Sequence, residues 1–243
     1  MGDRVKKIRQ AEAVSHTEVY RNHELFNAGS WLARPVKTVL DLFPCFESCK
    51  QLRVLDLGSG VGRNAIPVAK RFEGIPCHIE CVDILELAIE KLRENAIAVS
   101  NSICGIVESI DSYKIMADSY DWIIAVSALE HIESQSVIID KLIEIKNGLR
   151  DNGIACLILN SSVQEKAKTT GELLVPQFEV NIPAEELLRI LRQIFSEWKI
   201  RKQTVLHQKY DIPRDIGISR VDTDVVTFVV QKQERHTDPI LRK

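Results

Sequence analysis

The chain is predicted to fold as an α/β domain on a mostly parallel sheet, with helices on both faces, and three observations carry that expectation. Apolar runs of strand length at 54–57, 77–82, 103–107, 120–127 and 154–159 alternate with segments whose apolar residues recur at helical spacing. A glycine-rich turn, Gly58-x-Gly60-x-Gly62, stands where the first run hands over to the first helix. The length, 243 residues with 45% hydrophobic and 27% charged, fits one globular unit with a full core and a small appended cap.

Residues 4–28 are polar with a helical tendency and carry Tyr20, Arg21, His23 and Phe26 ahead of a Gly29-Ser30 break, so they read as a lid or cap. From 31 to 43, Leu32, Val36, Val39, Leu40 and Phe43 recur at helical spacing, with Pro35 tolerated near a helix start. The run at 54–57 is short, branched and apolar, as a strand buried on both faces should be. Ala65, Val68 and Ala69 then set a helix over about 62–73, and Gly74-Ile75-Pro76 turns the chain into the second strand.

A helix over about 85–98 follows, with Leu85, Ala88, Leu92 and Ala96 on one stripe, then the third strand and, from Tyr120, the fourth. Ile138, Leu142, Ile145 and Leu149 mark a helix over 136–148, and Asp151-Asn152-Gly153 turns into the fifth strand. The polar stretch 160–181 lacks a period and reads as a long loop overhanging the carboxyl end of that strand. Pro183 with Glu185 and Glu186 opens a last helix, with Leu187, Leu191, Ile194 and Trp198 facing inward. Strands at 200–207 and 225–231, joined by a loop holding Pro213 and Gly217, form an antiparallel hairpin at the sheet edge, and 232–243 is a charged, disordered tail.

Composition weighs against several classes. A formal net charge of −2 provides no field that draws the chain to nucleic acid or anionic membrane, so neither is expected as a partner. No apolar run approaches the roughly 20 residues that span a bilayer, and the first residues lack the apolar core of a signal peptide, so a cytoplasmic location is expected. The pairs Cys45/Cys49 and Cys77/Cys81 are spaced C-x3-C with no histidine at ligand spacing, so no metal site is expected and the thiols read as reduced and partly buried.

The chemistry of the turn separates two ligand classes. A dinucleotide site uses G-x-G-x-x-G to bring its pyrophosphate to the helix N-terminus. Here Asp56 stands two residues before the first glycine, and a carboxylate in that low-dielectric mouth repels a pyrophosphate and favours a cation. Asp83 ends the second strand, where an acid accepts hydrogen bonds from ribose hydroxyls, with Ile84 beside it to pack on a base. Glu108 and Ser109 follow the third strand, where an acceptor meets the amino group of an adenine, unless Glu108 is a solvated loop acid.

Asp56-x-Gly58-x-Gly60-x-Gly62, Asp83, Glu108 and a fourth strand running Tyr120-Asp121 to Leu129-Glu130-His131 together resemble the class I S-adenosylmethionine-dependent methyltransferases over about 50–160. Gly60-Val61-Gly62-Arg63-Asn64-Ala65 and the closing segments are similar to the tellurite-resistance-type branch of small-molecule methyltransferases. The resemblance implies a Rossmann-like seven-stranded sheet with an antiparallel last strand, and S-adenosylmethionine across the carboxyl ends of the first four strands. It divides the chain into a helical cap at 1–50, a methyltransferase domain at 51–231 and a tail.

The residues it places on the cofactor are Asp56, Gly58, Ser59, Gly60, Gly62, Asp83 and Glu108, joined by the neighbours Asn64, Ile84, Ser109 and Ala125. His131 is the candidate base for an acceptor whose proton must leave, against a packing role in the next helix. The expected function is methyl transfer to a small molecule. The alternatives are methylation of RNA or protein, suggested by Lys199, Arg201, Lys202, Lys209 and Arg214, a binding domain without turnover, and a nicotinamide-dependent oxidoreductase, which the glycine spacing and Asp56 disfavour.

Overall fold

A computed structural model describes residues 2–214 and 217–234. Strand β1 (Leu52–Leu57) sits in the middle of the sheet, every residue but Arg53 buried. It pairs in parallel with β2 (Cys77–Asp83) on one side and β4 (Tyr120–Val126) on the other. β3 (Ile103–Val107) lies outside β2 and β5 (Leu149–Ala167) outside β4, both parallel. Beyond β5 come β8 (Gly217–Gln231), antiparallel to it, and then β7 (Lys199–Arg214), so the order is β3-β2-β1-β4-β5-β8-β7. A two-residue β6 (Leu173–Leu174) pairs with the end of β5. The expected seven-stranded sheet with a reversed last strand is present, with this short strand added.

Side chains alternate along each central strand, and each face buries its own set. Trp122 and Ile124 of β4 pack with α3 (Ala65–Arg71), with α4 (Glu86–Asn95) and with the short α2 (Lys37–Leu40). Ile123 and Ala125 pack on the other face with α5 (Gln135–Gly148) and α6 (Ala184–Ile194). The Ser134 side chain accepts from the backbone N–H of Val137 and caps the start of α5.

Three expectations change. The helix expected over 31–43 is broken into a 3-10 turn at Trp31–Ala33, α2, and a second 3-10 turn at Phe43–Cys45. Pro35 and Pro44 account for the breaks, since each removes an N–H and disfavours helix in the residue before it. The stretch at 160–181 is not a loop from its start: β5 continues to Ala167, paired with β8 as far as Ser219. Alternation there is real but hidden, because the inward positions hold Ser161 and Glu165 as well as Val163. β7 and β8 are correspondingly longer than the 200–207 and 225–231 expected, and pair out to Arg214 and Gly217. Lys232, placed in the tail, is buried instead, donating to the Leu149 carbonyl at 2.6 Å and to Asp118 at 2.8 Å. The rest of the expected tail from 235 on, and residues 215 and 216 of the hairpin turn, lie outside the described residues.

The consequence for the site is a wall. β5, β8 and β7 run past the carboxyl ends of β1 and β4, and the segment after β6 folds back on them, Asn181 bonding both the N–H and the carbonyl of Val163 at 2.8 Å. α1 (Asp3–Asn22) closes the other side, with Tyr20 packed among Leu32, Val61 and Ala88.

Candidate active site

The turn after β1 is built from left-handed backbone: Gly58, Gly60 and Gly62 have φ of 70°, 54° and 92°. All three also make room, Gly62 for the Leu92 side chain, 2.5 Å from where its Cβ would stand. A Cβ on Gly58 would lie 2.4 Å from the Ala128 Cβ, and one on Gly60 would lie 2.9 Å from the Tyr20 hydroxyl. The N–H groups of Gly58 and Ser59 both donate to the Val82 carbonyl, at 2.8 and 3.1 Å, which ties the turn to β2.

Two buried carboxyls face this turn. Asp56 is 1% exposed, and its Oδ2 has no hydrogen-bond partner. Burial pushes its carboxyl up to about 7, with nearby Arg63 working against the rise and Asp83 adding to it. Asp83 accepts from the N–H of Gly60 at 2.8 Å and of Leu85 at 2.9 Å, and burial outweighs those bonds to leave it above the usual carboxylate range. An unpartnered buried acid beside a cradle of Cβ-free backbone fits a cationic ligand, which supplies the charge that both acids lack.

Ile84, half exposed, and Glu108, whose N–H donates to the Asp83 carbonyl at 3.0 Å, stand at the ends of β2 and β3 as expected. Ser59 is buried in the turn. Three other expected contacts are otherwise engaged. The Asn64 Oδ1 accepts from the Val36 N–H at 3.1 Å and pins the segment ahead of α2. The Ser109 hydroxyl donates to Asp111 at 2.6 Å. Ala125 is fully buried in the core between β1 and β5, so its methyl group faces helices and not the cleft; β4 reaches the mouth two residues later, at Ser127, whose φ of 49° turns the chain.

α1 lays one face across the cleft, and that face bears Arg9, Glu12, His16 and Tyr20. The rings of His16, Tyr20 and Trp31 lie within 5.9 Å of one another, and the Arg63 guanidinium stands 5.0 Å from the Trp31 ring centre. Arg9 bonds Asp111 at 2.7 Å and approaches Glu179 Oε1 at 3.4 Å, while Arg4 donates to the Phe178 and Glu179 carbonyls. The helix is thereby fastened to the loop after β3, the turn after β4 and the segment after β6.

His131 lies in the 3-10 turn Leu129–His131 and stacks on Phe178 at 5.4 Å. Its Nδ1 is 2.9 Å from Glu12 Oε2 and 3.0 Å from Glu179 Oε2. Burial works against a charged imidazole, but Glu12, Glu179 and Glu130 outweigh it and hold His131 well above its ordinary value. Glu130 is itself buried: one oxygen accepts from the backbone and side-chain nitrogens of Asn160, and the other has no partner. Glu12 and Glu179 were not among the residues singled out from the sequence. Glu12 shared a face with His16 and Tyr20 at four-residue spacing, a signal that was there to read; Glu179 lay in a segment without a period.

Residues 54–153 match a family model described as a methyltransferase domain. Solved structures share the fold: TehB from Haemophilus influenzae (TM-score 0.59, 18% identity, 82% of this chain and 62% of that one), an S-adenosylmethionine-dependent methyltransferase from Methanosarcina mazei (0.57, 14%, 82% and 99%), and a Haemonchus contortus phosphoethanolamine N-methyltransferase (0.59, 15%, 91% and 49%). This chain thus spans less than two thirds of the TehB chain. No curated protein matches the sequence. Residues 54–153, which carry the glycine turn and both acids of the cleft, thus match a methyltransferase-domain family, and the Rossmann-like sheet has the fold of the S-adenosylmethionine-dependent methyltransferase structures. Among the described residues no helix is long and apolar enough to cross a membrane.

Proposed function

We propose that this chain transfers a methyl group from S-adenosylmethionine to a small-molecule acceptor held in a chamber beneath α1. The observation that carries this reading is α1 itself: it lies over the cleft with the Tyr20 hydroxyl against Gly60 and is fastened at Asp111 and Glu179. A chamber roofed by its own helix suits a small acceptor better than a polymer. Four of the five basic residues that had suggested RNA are engaged elsewhere: Arg201 bonds Gln231, Lys202 bonds Thr38, Lys209 pairs with Asp222, and Arg214 pairs with Glu165. All six cysteines are free thiols, in keeping with a reducing, cytoplasmic setting.

In this reading Gly58, Ser59, Gly60 and Gly62 let the backbone approach the cofactor, Asp56 faces its cationic end, Asp83 takes the ribose, and Ile84 and Glu108 border the adenine. The cofactor supplies a methyl carbon already activated by a sulfonium. The protein's work is alignment and exclusion of water, and alignment alone contributes up to roughly 7–11 kcal/mol. His131, on the acceptor side, is the residue assigned to the acceptor. Incubation with methyl-labelled S-adenosylmethionine and separate pools of phenols, amines, thiols, tellurite and total RNA tests the reading. Label should enter a small-molecule pool, and a His131→Ala variant should bind cofactor normally while losing turnover. Label in RNA alone, or in no pool, would overturn it.

A further inference from the structure

We propose that Glu12, His131 and Glu179 form a binding site for a divalent first-row cation, bridging α1 to the chamber. Imidazole Nδ1 and one oxygen from each carboxylate lie within 4.8 Å of one another, though they come from three separate segments of the chain. The Nδ1–oxygen separations, 2.9 and 3.0 Å, match the edges of an octahedral site, where bonds near 2.1 Å at right angles put neighbouring ligand atoms about 3.0 Å apart, against about 3.4 Å in a tetrahedron.

A single proton on Nδ1 serves two carboxylates poorly, since it points at one of them or is split between both. A cation at their common focus serves all three atoms. The set is mixed nitrogen and oxygen, the donor type of zinc and manganese sites and not of thiolate-bound metals.

Two independent features support the assignment. The first is charge. Arg9 has Asp111 as its nearer partner and reaches only Oε1 of Glu179, and Arg214 is matched by Glu165, so Glu12, Glu130 and Glu179 outnumber the cations about the His131 imidazole. The second is the unpartnered, buried Oε2 of Glu130. Glu130 immediately precedes His131 in the turn Leu129–His131. Around the three ligands the supporting contacts expected of a metal site are in place: Arg9 occupies Oε1 of Glu179 and leaves Oε2 for the cation, and the Val180 N–H donates to the Glu130 carbonyl at 3.0 Å.

The site's role rests on the methyltransferase reading. Three protein ligands leave positions for an acceptor oxygen. Bound there, an acceptor O–H gives its proton to water and keeps the electron pair on an oxygen stabilised by the cation, which makes it a nucleophile near neutral pH.

The experiment is titration of chelator-treated full-length protein with Mn2+, followed by loss of the free-ion paramagnetic resonance signal, and with Zn2+ by calorimetry. One ion per chain is expected, with affinity reduced about 10–100-fold in Glu12→Gln, His131→Gln and Glu179→Gln. Asp222→Asn, on the outer hairpin, should leave it unchanged, and thermal melts confirm that each variant is folded. No saturable binding of either ion, or binding that survives all three substitutions, would overturn the site. S-adenosylmethionine binding on the same samples keeps the two readings apart: metal without cofactor contradicts the enzyme reading, and cofactor without metal contradicts this one.

Discussion

Asp56 is buried with no hydrogen-bond partner for its Oδ2, and the consequences run in opposite directions for stability and binding. Its carboxyl is pushed from 3.8 up to about 7 in the folded protein, so the fold favours its protonated form. The stability this confers is full below the unfolded value near 4 and is lost as pH rises to about 7. Asp56→Asn should therefore melt higher than the parent protein at pH 8 without cofactor, by up to ~4 kcal/mol on the linkage scale, and thermal unfolding at pH 4 and pH 8 measures it. The same variant should lose affinity for S-adenosylmethionine. In the parent, affinity should tighten by roughly tenfold from pH 6 to pH 8 as Asp56 ionises to meet the cation. Equal affinity at both values would detach Asp56 from the ligand. Gly58 makes a second residue-scale case: Gly58→Ala combines a φ of 70° with a 2.4 Å clash on Ala128, and should cost on the order of 1–3 kcal/mol in denaturant unfolding and abolish cofactor binding.

Among the elements, the wall made by β5, β8 and β7 depends on one buried pair. Arg214 of β7 reaches Glu165 of β5 through two parallel bonds, at 2.8 and 3.1 Å, with both side chains almost fully buried. Arg214→Ala leaves an uncompensated carboxylate inside the wall and should destabilise the protein by roughly 3–5 kcal/mol. The double variant Glu165→Leu with Arg214→Met should recover most of that loss, as urea titration of the three proteins would show; no recovery would mean that the pair is not what holds the wall. This element also marks the limit of what the sequence disclosed. β1 and β4 were legible because parallel strands covered on both faces are almost wholly apolar, and β2 and β3 because short apolar runs follow turn signals. The outer half of β5 was not, because its inward positions include a serine and a glutamate whose partners stand 63 and 49 residues away.

At the scale of the whole molecule, the sheet brings Asp56, Asp83 and the three glycines to one edge, and α1 and the β5–β8–β7 wall enclose what lies above it. The residues proposed for the cofactor were readable from local motifs, since each stands at or beside the carboxyl end of a strand. Of the residues proposed for the acceptor only His131 was: Glu12 and Glu179, which meet it, come from a helix and a returning segment that only the tertiary fold brings to it. Calorimetric titration of the purified chain with S-adenosylmethionine and S-adenosylhomocysteine, repeated on a folded Asp83→Ala variant, reaches the heart of the assignment. Saturable 1:1 binding of both, weakened at least tenfold by the substitution, is the expected result. A folded parent protein that binds neither would contradict it, and the glycine turn would then be a feature of the fold with another ligand or none.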